Sequence, residues 1–139
     1  MWLNVERQNK KIKLLYKRIH DIRTNYLHQT TSAIVKTKPS RIVMETLNVK
    51  GMMKNRHLSK AVAEEKFYEF KRQMQYKCEA FGIELIEADR FYPSSKTCSR
   101  CGHIKHDLKL KDRTYICPEC GLVIDRDLNA AINLANYKV

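Results

Sequence analysis

At 139 residues, with 43% of them hydrophobic, the chain suits about one ordinary domain, or a small domain plus a metal-stapled module, and is too apolar for wholesale disorder. Its formal charge of +12, from 27 Lys and Arg against 15 Asp and Glu, makes nucleic acid the default partner, because so basic a surface repels itself until phosphates neutralise it; a merely soluble basic protein is the plainer reading. No apolar run is long enough to span a bilayer, and the opening MWLNVERQNKKIKLLYKR lacks the apolar core and cleavage site of a secretory signal, so no membrane partner and a cytoplasmic location are expected.

Residues 5–36 read as one long helix. Ile12, Leu15, Ile19, Ile22 and Tyr26 recur at alternating steps of three and four, which sets them on one face. Lys10, Lys11, Lys13, Lys17, Arg18 and Arg23 occupy much of the rest, as a solvated face or as a track for phosphates. Lys38-Pro39 stops the helix, since the residue before proline avoids helical backbone. Arg41-Ile-Val-Met-Glu45 reads as a buried strand and Thr46 to Lys60 as a loop. Residues 61–81 return to helical period through Phe67, Phe70, Met74, Cys78 and Phe81, and Gly82 ends that helix. Cys78, the odd cysteine, falls on the apolar stripe and is expected in the core. Ile83 to Ala88 is a second strand, Pro93-Ser94-Ser95 opens a cysteine-rich segment, and a short helix closes the chain from Asp127.

Cys98-Ser-Arg-Cys101 and Cys117-Pro-Glu-Cys120 form two C-x2-C pairs separated by fifteen residues. Four thiolates in two short pairs give the closed tetrahedral shell of a structural Zn²⁺, with no position left for a catalytic water. In a reducing compartment such cysteines point to metal, not to a disulfide framework. Gly102 and Gly121 follow the pairs and suit tight knuckle turns. The linker can form a β-ribbon with Thr114 to Cys117 as one strand. His103 and His106 are surplus to a four-sulfur site and read as surface residues or phosphate contacts. Arg100, Lys105, Lys109, Lys111 and Arg113 make the ribbon basic, with Arg126 just beyond it, which suits backbone binding without sequence preference.

Two carboxylates sit where chemistry could use them. Glu45 closes an apolar strand, and Asp127 precedes the last helix. Taken alone, Asp127 is more simply a helix N-cap and Glu45 a strand-end acid paired with a lysine.

Met44-Glu-Thr-Leu-Asn-Val-Lys-Gly-Met52, Tyr92-Pro-Ser-Ser-Lys-Thr-Cys-Ser-Arg-Cys-Gly102, Cys117-Pro-Glu-Cys-Gly121 and Asp125-Arg-Asp-Leu-Asn-Ala-Ala-Ile-Asn133 occur in this order. Together they resemble the C-terminal half of the TnpB (OrfB) family, transposon-encoded proteins long called transposases and understood as RNA-guided DNA endonucleases related to type V CRISPR effectors. The resemblance implies an α/β fold: a partial RuvC-like (RNase H-type) domain over residues 1–92, a zinc ribbon over 93–124 and a closing helix segment over 125–139. It implies catalytic roles for Glu45 and Asp127, which match the family's Glu and last Asp and would hold Mg²⁺ in a two-metal scheme. It also implies DNA and guide RNA as partners.

The family's first Asp, on a glycine-flanked first strand, has no counterpart here, and Asp89 is the only nearby spare acid. Two carboxylates neutralise two Mg²⁺ ions poorly. The expectation is therefore a C-terminal piece of such a nuclease that does not cut DNA alone, and needs a full-length relative or the missing N-terminal half. A reading frame begun at an internal methionine would give the same pattern. The competing expectation is a stand-alone zinc-ribbon factor that binds nucleic acid without nuclease activity.

Overall fold

The computed structural model describes residues 2–47, 54, 66–109 and 111–138. Most of the expected 46–60 loop and the first turn of the expected 61–81 helix lie outside the described residues. The chain divides into two compact units; among the described residues, one holds two helices and the other four short strands and a third helix.

In the helical unit, α1 spans Trp2–Lys36 and α2 spans Lys66–Phe81. Helix α1 begins before Val5 and ends where expected. Lys38 takes a left-handed φ of 50°, and its N–H reaches the Val35 carbonyl at 3.0 Å. Helix α2 closes on Gly82 at φ 65°, with Ile83 N–H on the Cys78 carbonyl at 2.9 Å and Gly82 N–H on that of Glu79 at 3.3 Å. That paired pattern needs a residue tolerant of left-handed backbone, which glycine is.

The two helices pack through the C-terminal third of α1. Thr31 and Val35 are buried there, and Gln73, Met74 and Cys78 are buried on α2. The Thr31 hydroxyl meets Gln73 Oε1 at 2.9 Å, and Lys77 Nζ donates to Thr31 Oγ1, Ser32 Oγ and the His28 carbonyl at 2.7, 2.8 and 2.9 Å. Partial burial lowers the Lys77 pKa. Cys78 is a core residue, as its place on the stripe predicts, and burial raises its thiol pKa.

None of the predicted α1 stripe is covered. Ile12, Leu15, Ile19, Ile22 and Tyr26 are all exposed, Tyr26 by 67%. The reason is length. At about 1.5 Å per residue, a 16-residue helix reaches roughly 24 Å along one of 35 residues and roughly 52 Å. Periodicity marks a face, but a neighbour must be long enough to bury it.

In the second unit, β1 (Arg41–Glu45) and β2 (Glu84–Ala88) pair in parallel, Arg41 opposite Glu84 and Glu45 opposite Ala88. Strands β3 (Thr114–Ile116) and β4 (Val123–Asp125) form a separate antiparallel ribbon. The ribbon thus closes around the second cysteine pair. Helix α3 spans Arg126–Ala135 and contacts β1, β3 and β4. Arg41 Nη2 donates to the Ala135 carbonyl at 2.7 Å, placing a cation at the negative end of α3.

The start of α3 corrects one expectation. Asp125, not Asp127, is the N-cap: its Oδ1 accepts the N–H groups of Asp127 and Leu128 at 2.9 and 3.0 Å. The chain turns helical straight out of β4, so the cap falls on the last strand residue. Asp127 is left in the first turn with its carboxylate exposed, 3.5 Å from the Arg126 guanidinium.

Candidate metal centre and acidic cleft

The four cysteines of the two C-x2-C pairs converge. Their sulfurs all lie within 4.8 Å of one another, with Cys98 to Cys120 at 3.6 Å and Cys101 to Cys117 at 3.5 Å. A tetrahedral ion bonded to sulfur at about 2.3 Å would space its ligands by roughly 3.8 Å, so the separations suit a metal shell and are far beyond a disulfide bond. His103 and His106 stay outside the cluster; His103 Nδ1 lies 4.0 Å from Glu119 instead.

Local backbone sets up the convergence. In each knuckle the glycine adopts positive φ, 78° at Gly102 and 70° at Gly121, and returns its N–H to the carbonyl of the first cysteine at 2.9 and 3.1 Å. Cys98 N–H then meets the His103 carbonyl and Cys117 N–H that of Leu122. Beneath the sulfurs, Tyr115 is completely buried with Cys98 and Cys117, flanked by Leu108, Leu122 and Ile124. Its hydroxyl lies 3.1 Å from the Lys96 carbonyl and 3.3 Å from that of His103. Burial and the neighbouring thiolates push the Tyr115 phenol up to about 12.

The electrostatics call for a cation. Burial opposes ionisation of Cys98, yet the N–H groups of Cys101 and Arg100 overcome it and bring the thiol down to about 6. Cys117 is lowered in the same way by Cys120 and Glu119 N–H groups acting against burial. At Cys101 the His103 N–H favours the thiolate, but burial and three adjacent sulfurs outweigh it and lift the thiol to about 12. Four sulfurs this close cannot all ionise together until a positive ion screens them.

Next to the knuckle lies a cleft of about 210 Å³ at the C-terminal ends of β1 and β2, lined by Glu45, Thr46, Asp89, Arg90, Tyr92 and Ser94 among others. The Ser94 hydroxyl donates to Glu45 Oε1 at 2.6 Å. Ser94 is itself 4% exposed and fixed from behind: Asn133 Nδ2 donates to the carbonyls of Ser94 and Thr97, both at 2.7 Å. Asn129, one turn earlier on α3, donates to the Thr97 carbonyl at 2.7 Å and accepts the Ser99 N–H at 3.0 Å. Two buried asparagines thus hold the first knuckle on α3, and the same segment holds the Glu45 carboxylate.

Asp127 is not among the residues lining that cleft. Among the described residues, the cysteines are the only group of three or more His, Cys, Asp or Glu close enough to share an ion. No three of the described acids, Glu45 and Asp127 included, lie close enough together to share one ion. Of the basic residues, Lys10, Lys11, Lys13, Lys17 and Arg18 are exposed on α1, Arg100 on the first knuckle and Arg113 just before β3. Lys105 and Arg126 are half-buried, Lys105 Nζ reaching the Ile116 carbonyl at 3.4 Å. Ser94, Asn129, Asn133 and Tyr115 carry the architecture without having been singled out by chemistry-bearing spacing. For Asn129 and Asn133 the signal is their spacing of four on the inner face of a short helix; Ser94 and Tyr115 carry none.

Two family models match the chain: the Cas12f1-like TNB domain over residues 67–134 and the OrfB-type "Probable transposase" over residues 3–56. The chain belongs to the TnpB family. A relative from Streptomyces pristinaespiralis named "Putative RNA-guided DNA endonuclease" is 36% identical over 94% of this chain and 32% of its own length. A Mycobacterium tuberculosis protein of the same designation is 38% identical over 89% of this chain and 28% of its own. A TnpB-like protein of Acanthamoeba polyphaga mimivirus is 29% identical over 91% of this chain. The chain thus spans about a third or less of these TnpB-type relatives. It shares its mixed helix–strand fold with a chain of a Cas12f1–sgRNA–target DNA complex, at a TM-score of 0.72 and 24% identity over 94% of this chain and 38% of that one. A CRISPR-Cas12f ternary complex gives 0.71 over 92% of this chain.

Proposed function

We propose that the chain serves in nucleic-acid binding within RNA-guided DNA cleavage of the TnpB type, as a RuvC-like segment braced by a structural Zn²⁺, and that it does not cut DNA alone. The observation that carries this reading is the Glu45 carboxylate held by Ser94 beside a four-sulfur knuckle, on a chain matched over 94% of its length by a relative of the TnpB type. Zn²⁺ would be held by Cys98, Cys101, Cys117 and Cys120 and would supply rigidity, not chemistry, because the shell is closed. Glu45 and Asp127 would be two of the carboxylates of a Mg²⁺-dependent centre completed by a full-length relative or its N-terminal half. DNA and guide RNA are the partners, and the +12 charge with the exposed lysines of α1 supports phosphate contacts. Domain boundaries at residues 92 and 124, with 125–139 as the closing segment, go with this reading.

Zinc-loaded protein titrated with single- and double-stranded DNA and RNA tests the binding half. Affinity should fall steeply with added salt as counterions are released. Incubation of the same strands with Mg²⁺ tests the other half: no cutting is expected. Metal-dependent cutting abolished by Glu45→Gln would show a complete active site in this chain. A second reading, a stand-alone zinc-ribbon factor, is favoured by the lack of an assembled acidic cluster among the described residues. It predicts that adding an N-terminal nuclease half from a relative restores no Glu45-dependent cutting.

A further inference from the structure

The turn between β2 and the first knuckle is tightly anchored except at one side chain. Asp89 N–H donates to the Tyr137 hydroxyl at 3.1 Å, and the Asp89 carboxylate accepts the Phe91 N–H at 2.7 Å. Tyr92 N–H reaches the Asp89 carbonyl at 3.0 Å, its ring packs edge-on against Tyr137 at 4.9 Å, and its hydroxyl lies 3.3 Å from the Asn133 carbonyl. Between these fixed neighbours the Phe91 ring stands 84% exposed, the most exposed large hydrophobic among the described residues of its unit. The backbone is organised to hold an aromatic ring in water, against its transfer preference.

The ring has a cation and a cleft beside it. The Arg90 guanidinium lies 5.7 Å from the Phe91 centroid, and Arg90 also lines the Glu45 cleft with Tyr92, Ser94 and Ser95. We propose that Phe91, with Arg90, is a stacking platform for one unpaired nucleotide of a single strand led into the Glu45 cleft. Aromatic rings flanked by arginine are the recurrent solution for unpaired bases, because every base offers a π-face and the guanidinium answers the adjoining phosphate. A protein partner would need a contiguous apolar patch, whereas the residues on either side in sequence are the exposed, charged Arg90 and the anchored Tyr92. Asp89 and Glu45 on the cleft wall are already engaged by the Phe91 N–H and the Ser94 hydroxyl, and their charge sets the nearest phosphate on the Arg90 side. A duplex buries its base faces and gains nothing from the ring.

This inference rests on the nucleic-acid reading above, and the test separates the two. Zinc-loaded full chain is titrated at fixed low salt with fluorescent oligothymidylate, oligouridylate, a duplex and an abasic strand of equal length. Phe91→Ala should weaken single-strand binding roughly 5- to 150-fold, the range for one base on one ring, while duplex and abasic affinities and zinc content hold. Phe91→Trp in a Trp2→Phe background should restore affinity and show fluorescence quenching by the single strands alone. Arg90→Ala should weaken binding and reduce the salt slope by about one. Equal effects on oligothymidylate and oligouridylate support a platform indifferent to the sugar, and a larger effect on one assigns it to that polymer. If wild type binds single strands and Phe91→Ala binds as well, the platform is wrong and the nucleic-acid reading stands. Equal loss on the abasic strand also overturns stacking. If wild type binds none of the four, both readings fall.

Discussion

The two units reach order by different means. The helical unit is long, basic and thinly packed: most of α1 faces water, and its buried contacts with α2 are a patch of Thr31, Val35, Gln73, Met74 and Cys78. The strand unit has strands of three to five residues and a core of one tyrosine and a few aliphatics, yet its turns interlock through backbone and asparagine hydrogen bonds around four sulfurs. Local helix hydrogen bonds let the first unit tolerate an exposed apolar stripe. Strands this short cannot stand without a staple, because their area of burial is too small to offset chain entropy. The comparison teaches that metal loss and loss of apolar packing should strike different halves of the molecule.

The sharpest break comes from removing the proposed Zn²⁺ from the four-sulfur cluster. A structural Zn²⁺ contributes about 10–16 kcal/mol to small sites of this kind. Chelation, or Cys117→Ser, should collapse the near-ultraviolet signal of Tyr115 and the amide dispersion of β3 and β4, while far-ultraviolet helicity from α1 and α2 persists. Loss of the helices at the same chelator concentration would show that the comparison is drawn in the wrong place.

Next in size are the two core truncations. Tyr115→Ala should destabilise the knuckle by about 3–5 kcal/mol and weaken zinc retention, read by competition with a chromophoric chelator. Met74→Ala, 1% exposed in wild type, should cost about 2–5 kcal/mol in thermal unfolding of the helices and leave zinc retention unchanged. A smaller effect follows from Asn129→Ala. It strands the Ser99 N–H while Asn133 still serves the Thr97 carbonyl, so about 1–3 kcal/mol should be lost from the knuckle in urea unfolding.

The smallest effect lies in the helical unit and depends on pH. Hydrogen bonds from Arg72 at 2.8 and 2.9 Å, and then from Gln73 at 2.8 Å, pull the Glu69 carboxyl down to about 2. A carboxyl lowered on folding stabilises the folded state fully above its ordinary value near 4.5 and loses that contribution as pH falls toward 2. Helix melting followed between pH 5 and 2 should lose stability progressively in wild type, and less in Glu69→Gln. Because Arg72 is exposed, solvent screening keeps the gain small.

Much of the strand unit could be read from residue spacing. The C-x2-C pairs announce their convergence because short knuckles leave the sulfurs few other arrangements, and Gly102 and Gly121 mark the turns. Glu45 was legible as the end of an apolar strand, and its closeness to the knuckle was not. That closeness runs through Ser94, Asn129 and Asn133, polar residues whose partners lie more than thirty positions away. The cap on α3 is not fixed by local sequence, because both Asp125 and Asp127 satisfy the local preference and only the end of β4 chooses between them.

By itself the sequence determined what is local or stoichiometric: the period of α1 and α2, the stop at Gly82, the four cysteines in two close pairs, and the surplus of positive charge. These follow from backbone sterics, side-chain chemistry and short loops, which need no distant partner. Tertiary structure alone decided which apolar face is covered, which buried asparagine meets which carbonyl, and that Phe91 is left in water beside the Glu45 cleft. Those outcomes depend on where segments far apart in the chain meet, and a side chain's own chemistry carries no record of its distant neighbour.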